Sequence, residues 1–198
     1  MNNQWNEKYA SRDYYYGKEP NAFFKEEIDK LEPGKLLLPA EGEGRNAVYA
    51  AKLGWDVTCL DWSEEGKKKA DKFAEESGVK IDYQVADLFS FEYGEEKYDA
   101  VGLAFVHLPQ EMREELHKSV VKSLKKGGKL IFTAYDKTQL GKTSGGPKDI
   151  NLLFSLEQIV EDFIDLDFEI FAKESIHLNE GSGHIGLADV INFAGKKR

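Results

Sequence analysis

The sequence predicts an α/β protein built on a doubly wound, mostly parallel sheet with helices on both faces. Three observations carry that reading. Residues 35–63 run as an apolar strand (Leu36, Leu37, Leu38), a glycine turn (Glu41, Gly42, Glu43, Gly44), a helix and a second apolar strand closed by Asp61, which is one βαβ unit. Residues 98–106 are almost continuously apolar, as suits a central parallel strand buried on both faces. Near the end, two strand-like runs, 168–178 and 185–194, flank Asn179-Glu180-Gly181-Ser182-Gly183-His184. That linker is a hairpin signature, so the last strand should run antiparallel to the rest.

Composition bounds the rest. A chain of 198 residues is long enough for one sizeable core, and residues 1–198 read as a single domain. Hydrophobic residues make up 41% and charged residues 32%, which excludes a disordered chain. With 27 basic and 36 acidic residues the net charge is −9, so a polyanionic nucleic-acid partner would be repelled. Cys59 is the single cysteine and lies in the second strand, where it reads as a small core residue. The four histidines and one cysteine show no metal-ligand spacing. No secretory apolar segment or long apolar run is present, which predicts a cytoplasmic protein with no membrane partner. Both a monomer and a homodimer are compatible with the sequence.

In chain order, residues 1–20 are rich in aromatics (Trp5, Tyr9, Tyr14, Tyr15, Tyr16). They read as a short helix and an irregular turn, serving either as a packed arm or as a lid over the ligand pocket. Asn21 is placed to cap a helix stopped by Pro33-Gly34. In the glycine turn, the backbone can approach a ligand and the next helix offers unpaired N–H groups. Asp61, closing the second strand, can accept both hydroxyls of a ribose, which argues for an adenosine-containing cofactor. Ser63 caps a helix to about residue 77. A third strand, 79–85, ends in Ala86-Asp87-Leu88-Phe89, where Asp87 can accept an adenine amine and Leu88 or Phe89 can pack near the base.

Residues 98–106 lead into His107-Leu108-Pro109. A helix to about residue 124 follows, with Met112, Leu116, Val120, Val121 and Leu124 assigned to its core side and Lys125, Lys126 and Gly127-Gly128 assigned to its end. The fifth strand is 130–135, closing in Tyr135. Residues 137–149 form a 13-residue polar, glycine-rich loop, long enough to suggest function. Ser155 and Gln158 form a capping box. If the run 168–178 is parallel to the first five strands, Glu180 and His184 lie at the same carboxyl edge as Gly42, Asp61 and Asp87, the edge where such sheets bind ligands.

With YYYGKEPN, AEGEGRNA, Asp61, Ala86-Asp87-Leu88, LKKGGKLIF and GSGHIGLADVINFAGK in view, the chain resembles the class I S-adenosylmethionine-dependent methyltransferases. The resemblance covers nearly the whole chain and is strongest to the small bacterial branch similar to tellurite-resistance and thiopurine methyltransferases. It implies a Rossmann-like sheet of seven strands in the order 3-2-1-4-5-7-6. It also implies that Glu41, Gly42, Glu43 and Gly44 approach the methionine part of S-adenosylmethionine. Asp61 would then hold the ribose, Trp62 would flank the adenine, and Asp87 and Leu88 would contact its edge. Residues 104–107, from Ala104 to His107, would border the sulfonium. Two departures stand out: the acid common at the end of the first strand is Leu38 here, and the first turn glycine is Ala40. Glu41 is placed to supply that carboxylate from a shifted position.

Methyl transfer from a sulfonium is an in-line displacement, so alignment supplies much of the rate, and S-adenosyl-L-homocysteine is the product. A small-molecule acceptor such as a thiol or a reduced metalloid needs no base. A hydroxyl or amine does, and His107 and His184 are the candidates, each with a structural alternative. Tyr15, Tyr16, Arg45, His107, Tyr135 and His184 form the candidate acceptor site, where Arg45 would either orient an anion or pair with Glu43 or a nearby carboxylate. Two rivals remain. Gly42, Gly44 and Ala47 also fit the GxGxxA of an NAD-dependent oxidoreductase, although no Tyr-x-x-x-Lys constellation accompanies them. A non-catalytic cofactor- or metabolite-binding protein of the same fold is the other.

Overall fold

The computed structural model describes residues 4–10 and 13–198. Of the N-terminal arm, residues 1–3 and 11–12 therefore lie outside the described residues. Seven strands, β1 (Lys35–Pro39), β2 (Asp56–Asp61), β3 (Asp82–Val85), β4 (Tyr98–Ala104), β5 (Leu124–Tyr135), β6 (Leu166–Glu180) and β7 (His184–Lys197), form one sheet. Its order is β3-β2-β1-β4-β5-β7-β6. The pairs among β1 to β5 are parallel, and β7 lies antiparallel between β5 and β6. Six helices accompany the sheet among the described residues: α1 (Gln4–Tyr9), α2 (Ala22–Ile28), α3 (Arg45–Lys52), α4 (Glu64–Glu76), α5 (Gln110–Ser123) and α6 (Leu156–Asp162).

The period-two alternation of a strand splits the core into two layers. Along β1, Leu36 and Leu38 pack with Val57, Cys59, Ala100, Ile131 and the inner faces of α2 and α3. Leu37 faces the other side, with Val101, Leu103, Phe132 and residues of α5 and α6. Cys59 is fully buried, as its place in an apolar strand dictates. The helix starts are chemically specified. The Asn21 side chain accepts from the Phe24 amide, Ser63 from the Gly66 amide, and Ser155 and Gln158 complete a reciprocal capping box on α6.

Several boundaries differ from the sequence expectation, each for a visible reason. Lys125 and Lys126 do not close a helix, because Leu124 already pairs with Tyr98 in the sheet. Lys125 instead bonds Asp99 at 2.8 Å. Met112 does not face the core and is 38% exposed, since it lies in the first turn of α5 at the carboxyl edge of the sheet. The third strand starts at Asp82, three residues later than its alternation suggests, because only residues from Asp82 onward pair with β2. The loop 137–149 holds a 3₁₀ turn, Lys137–Gln139, and is packed down: the Ser144 hydroxyl donates to Leu187 O and the Gln139 amide to Ser144 Oγ. No helix among the described residues is long and apolar enough to cross a membrane.

Candidate active site

The site begins where β1 turns into α3. Ala40 has φ of 55°, Gly42 63° and Gly44 86°, so the chain passes three times through the left-handed region. A Cβ on Gly42 would sit 2.6 Å from the Tyr9 hydroxyl oxygen, and only glycine allows that approach. Gly44 caps α3 but has no side chain to satisfy the helix amides. Glu41 does that work from a distance. Its Oε1 accepts from the amides of Asn46 and Ala47 at 2.7 and 2.8 Å, and its Oε2 from Asn46 Nδ2 at 3.2 Å. Desolvation nonetheless pushes the Glu41 carboxyl up to about 7, against the pull of those hydrogen bonds.

Asp61 binds the same turn from β2. Its Oδ2 accepts from Gly42 N at 3.0 Å and its Oδ1 from Ser63 N at 2.9 Å. Burial raises its pKa, while the backbone amides resist. A carboxylate oxygen has a second lone pair, so both oxygens can still accept from a ligand in the cavity beside them.

That cavity, of about 250 Å³, opens at the carboxyl edge between β1 and β4, where the strand order reverses. Glu41, Asp61, Trp62, Leu88 and Phe89 line one end of the polar wall, and Ala104, Phe105 and Val106 the end of β4. Phe105 also carries a positive φ, 57°, so two strained residues, Ala40 and Phe105, border the same space. Trp5, Tyr9 and Tyr16 of the arm, His107, Leu108 and Met112 beside α5, and Arg45, Asn46 and His184 complete the lining.

The remaining sequence candidates stand one layer back. Glu43 faces away from the cavity: its Oε2 accepts from the Tyr15 amide at 2.7 Å, and its Oε1 meets Lys69 Nζ at 2.6 Å. Tyr15 is held on the hairpin, its carbonyl accepting from Gly183 N at 2.9 Å. Asp87 turns onto its own chain, accepting from Phe89 N at 2.8 Å, while its neighbour Leu88 reaches the cavity. Tyr135 is 1% exposed and backs the wall, its ring centroid 5.5 Å from each of His107 and His184. Its hydroxyl has no hydrogen-bond partner among the described residues.

Arg45 pairs with neither Glu43 nor Glu41. Its Nη2 meets Glu180 Oε2 at 3.0 Å, across from β6. Glu180 Oε1 accepts from Asn21 Nδ2 at 3.1 Å and its Oε2 faces His184 Nδ1 at 2.8 Å. His184 and Arg45 hold the Glu180 carboxyl down at about 2 in spite of its burial. The two histidines therefore differ. His107 Nδ1 lies 2.7 Å from Leu152 O, and its Nε2 accepts from Tyr135 N at 3.4 Å. Both ring nitrogens are spent on backbone, and burial depresses its pKa to about 4. His184 has Nδ1 on Glu180 and lines the cavity with the rest of its ring.

Sequence reasoning missed three contributions. Met112 was hidden by a helical spacing that also fits the core. The Asn21–Asn46 contact, Asn21 N to Asn46 Oδ1 at 2.9 Å, had no local signal at all. Glu43 gave no sign that its partner was the arm.

A strand order of 3-2-1-4-5-7-6 with a cavity over a glycine turn and a β2 acid is a Rossmann-like architecture. A family described as a methyltransferase domain matches residues 39–128. That match, over somewhat under half of the chain, and the relatives below support likeness to the class I S-adenosylmethionine-dependent methyltransferases of the TehB-like branch. A probable S-adenosyl-L-methionine-dependent methyltransferase TehB of Haemophilus influenzae is 23% identical over 188 residues, 91% of this chain and 62% of that protein. A 2-heptyl-1-hydroxyquinolin-4(1H)-one methyltransferase of Mycobacteroides abscessus is 26% identical over 121 residues, 60% of this chain and 53% of the relative. The chain thus spans little more than half the length of these curated relatives. The crystal structure of TehB from Haemophilus influenzae superposes with a TM-score of 0.75 at 19% identity, covering 99% of this chain and 66% of that one.

Proposed function

We propose that the protein transfers the methyl group of S-adenosylmethionine to a small-molecule acceptor by in-line displacement, in the cytoplasm. The observation that carries this reading is the turn–acid pair: Glu41 of the glycine turn and Asp61, which bonds that turn from β2, are two desolvated carboxylates lining a cavity at the switch point of the sheet.

The residues present fit the cofactor. Asp61 would accept the ribose hydroxyls with its free lone pairs, and Trp62, Leu88 and Phe89 would flank the adenine. Glu41 would meet the ammonium with Oε2, which carries one partner at 3.2 Å and has room for a second. This supports the shifted-carboxylate reading of the turn that bears Leu38 and Ala40. When bound, the cofactor supplies an activated methyl on a cationic sulfur. The chain's own part is to hold the acceptor in line with it and to exclude water, for which Phe105, Tyr16 and Trp5 supply apolar surface.

Two acceptor classes are open to such a site. A thiol or reduced metalloid is the one suggested by similarity to the tellurite-resistance branch, and it asks nothing of the protein but alignment. A hydroxyl acceptor, as in the name of the mycobacterial relative, asks for a base.

Calorimetric titration with S-adenosylmethionine, S-adenosylhomocysteine and NAD, alongside Asp61→Ala, tests the proposal. Binding of the first two, weakened by at least tenfold in the variant, is the expected result. Binding of NAD alone would transfer the site to the oxidoreductase reading. Cofactor binding without turnover of any acceptor would favour the binding-protein reading.

A further inference from the structure

The cavity has one wall whose chemistry methyl-group binding does not use, the end of the β6–β7 hairpin. There Glu180 sits between three donors: Asn21 Nδ2 on Oε1, and Arg45 Nη2 and His184 Nδ1 on Oε2. A carboxylate so enclosed fixes the imidazole with its Nδ1–H donating, which leaves Nε2 as a bare acceptor. Nε2 has no partner among the described residues, and the ring it belongs to borders the cavity. The rings of Tyr16 and Phe105 pack on that imidazole at centroid distances of 4.4 and 4.6 Å. Together they put two aromatic rings, inclined at 48° and 68° to the imidazole, beside one basic nitrogen.

Building on the methyltransferase reading above, we infer that the acceptor is a small aromatic or heteroaromatic hydroxyl compound. His184 Nε2 takes its proton, and Glu180 acts as the positioning residue that sets the tautomer. His107 is excluded from this role because both its nitrogens are bonded to backbone. The step balances as follows. The acceptor oxygen gives its proton to Nε2 and its electron pair closes the O–CH₃ bond. The C–S bond breaks with its pair left on sulfur, and the imidazolium then releases the proton to water. A thiolate needs no such base, and neither does a metalloid anion. A buried acid–histidine pair aimed at their site would then have no task.

The charged and titratable groups around His184 agree with a base that is neutral near pH 7. Glu180 on β6 favours the imidazolium. Desolvation, Arg45 on α3 and Lys8 on α1 oppose it and prevail. His107, Tyr16 and Tyr135 face the same ring as neutral groups.

The test uses the full chain with S-adenosylmethionine and a panel of hydroxy-substituted naphthalenes and quinolines with their mercapto analogues. The wild-type protein should methylate hydroxyl members, with an acid limb in the pH–kcat profile. His184→Gln should lower kcat for them by about 100-fold or more, the span of general base catalysis, a far larger drop than for the mercapto members, with cofactor affinity within threefold. Glu180→Gln should lower kcat with KM held, and move the acid limb to lower pH. Independently of turnover, nitrogen NMR of the free protein should show His184 as the Nδ1–H tautomer, with a titration midpoint that falls in Glu180→Gln. Turnover of thiols alone, an Nε2–H tautomer, or unchanged kcat in His184→Gln overturns the assignment. Cofactor binding with no hydroxyl turnover overturns it while sparing the cofactor reading; absence of cofactor binding overturns both.

Discussion

Glu43 Oε2 accepts a hydrogen bond from the Tyr15 amide at 2.7 Å, which ties the glycine turn directly to the aromatic arm. The same carboxylate is neutralised by Lys69 at 2.6 Å, with both side chains largely buried. One residue of the glycine turn therefore holds the aromatic arm beside the cavity.

Glu43→Ala would leave the Lys69 ammonium with only the Asp13 carbonyl at 2.7 Å as a hydrogen-bond partner among the described residues, and loosen the arm at Tyr15. A loss of about 3 kcal/mol is expected from breaking a buried ion pair on one side, read as a lower urea midpoint. Amide exchange at Tyr15 and Tyr16 should accelerate at the same time. Unchanged exchange there would mean that the arm is held elsewhere.

Cofactor binding should release protons. Glu41 sits near half-ionised at pH 7, and an ammonium beside it favours the charged form. Affinity for S-adenosylmethionine should therefore rise as pH increases from 6 to 8. Calorimetry in buffers of different ionisation enthalpy should report the released proton, and Glu41→Gln should abolish both effects.

Gly42→Ala puts a methyl 2.6 Å from the Tyr9 hydroxyl on a backbone at φ 63°. The left-handed conformation alone costs about 1 kcal/mol, and Tyr9 must move off the turn. Lower thermal stability and at least tenfold weaker cofactor binding are expected, measured by calorimetry.

His107 should sensitise the fold to acid. Its folded pKa, about 4, lies below the unfolded value near 6.5, so the unfolded chain binds the proton first. Stability is full above pH 6.5 and declines as pH falls toward 4, by roughly 3 kcal/mol if His107 acted alone. Glu41 works in the opposite sense between pH 7 and 4.5, so the comparison to make is His107→Asn against wild type. The variant should start less stable at pH 7.5 and show the shallower loss on acidification.

Asp162 on α6 accepts from Arg113 Nε at 2.8 Å and faces His117 Nδ1 at 2.7 Å, with all three buried. Asp162→Ala leaves the buried Arg113 guanidinium with only the 3.9 Å contact to Glu114 as an ion pair among the described residues, and should cost about 3 kcal/mol without changing cofactor affinity at temperatures where the variant is folded.

What was legible from the sequence follows a physical divide. The first βαβ unit and the antiparallel last strand rest on patterns short enough to read locally, Leu36 to Leu38 before the glycine turn and the Asn179 to His184 linker, whereas the full sheet order came only with the family resemblance. Asp61 was readable for the same reason, since strand length and an acid at the strand end fix its position. Arg45–Glu180, at a separation of 135 residues, was not, because an ion pair leaves no trace in the neighbours of either residue. Nor was the difference between His107 and His184, which depends on what each Nδ1 meets: the carbonyl of Leu152 in one case, a carboxylate in the other. Tyr135 was assigned to the acceptor site from its place at the end of β5, but it stands behind the histidines.

The position of β7 sets the order in which the molecule can be assembled. Its strand is made after both β5 and β6 during synthesis, yet it lies between them. Until it emerges, β6 has no neighbour to join, and the edge of β5 is unpaired. His184 arrives with it, so the cavity wall that carries Glu180 and His184 is completed by the same event that closes the sheet. Pairings this distant in sequence are slow to form, and a nascent chain halted before His184 would present two open strand edges to its surroundings.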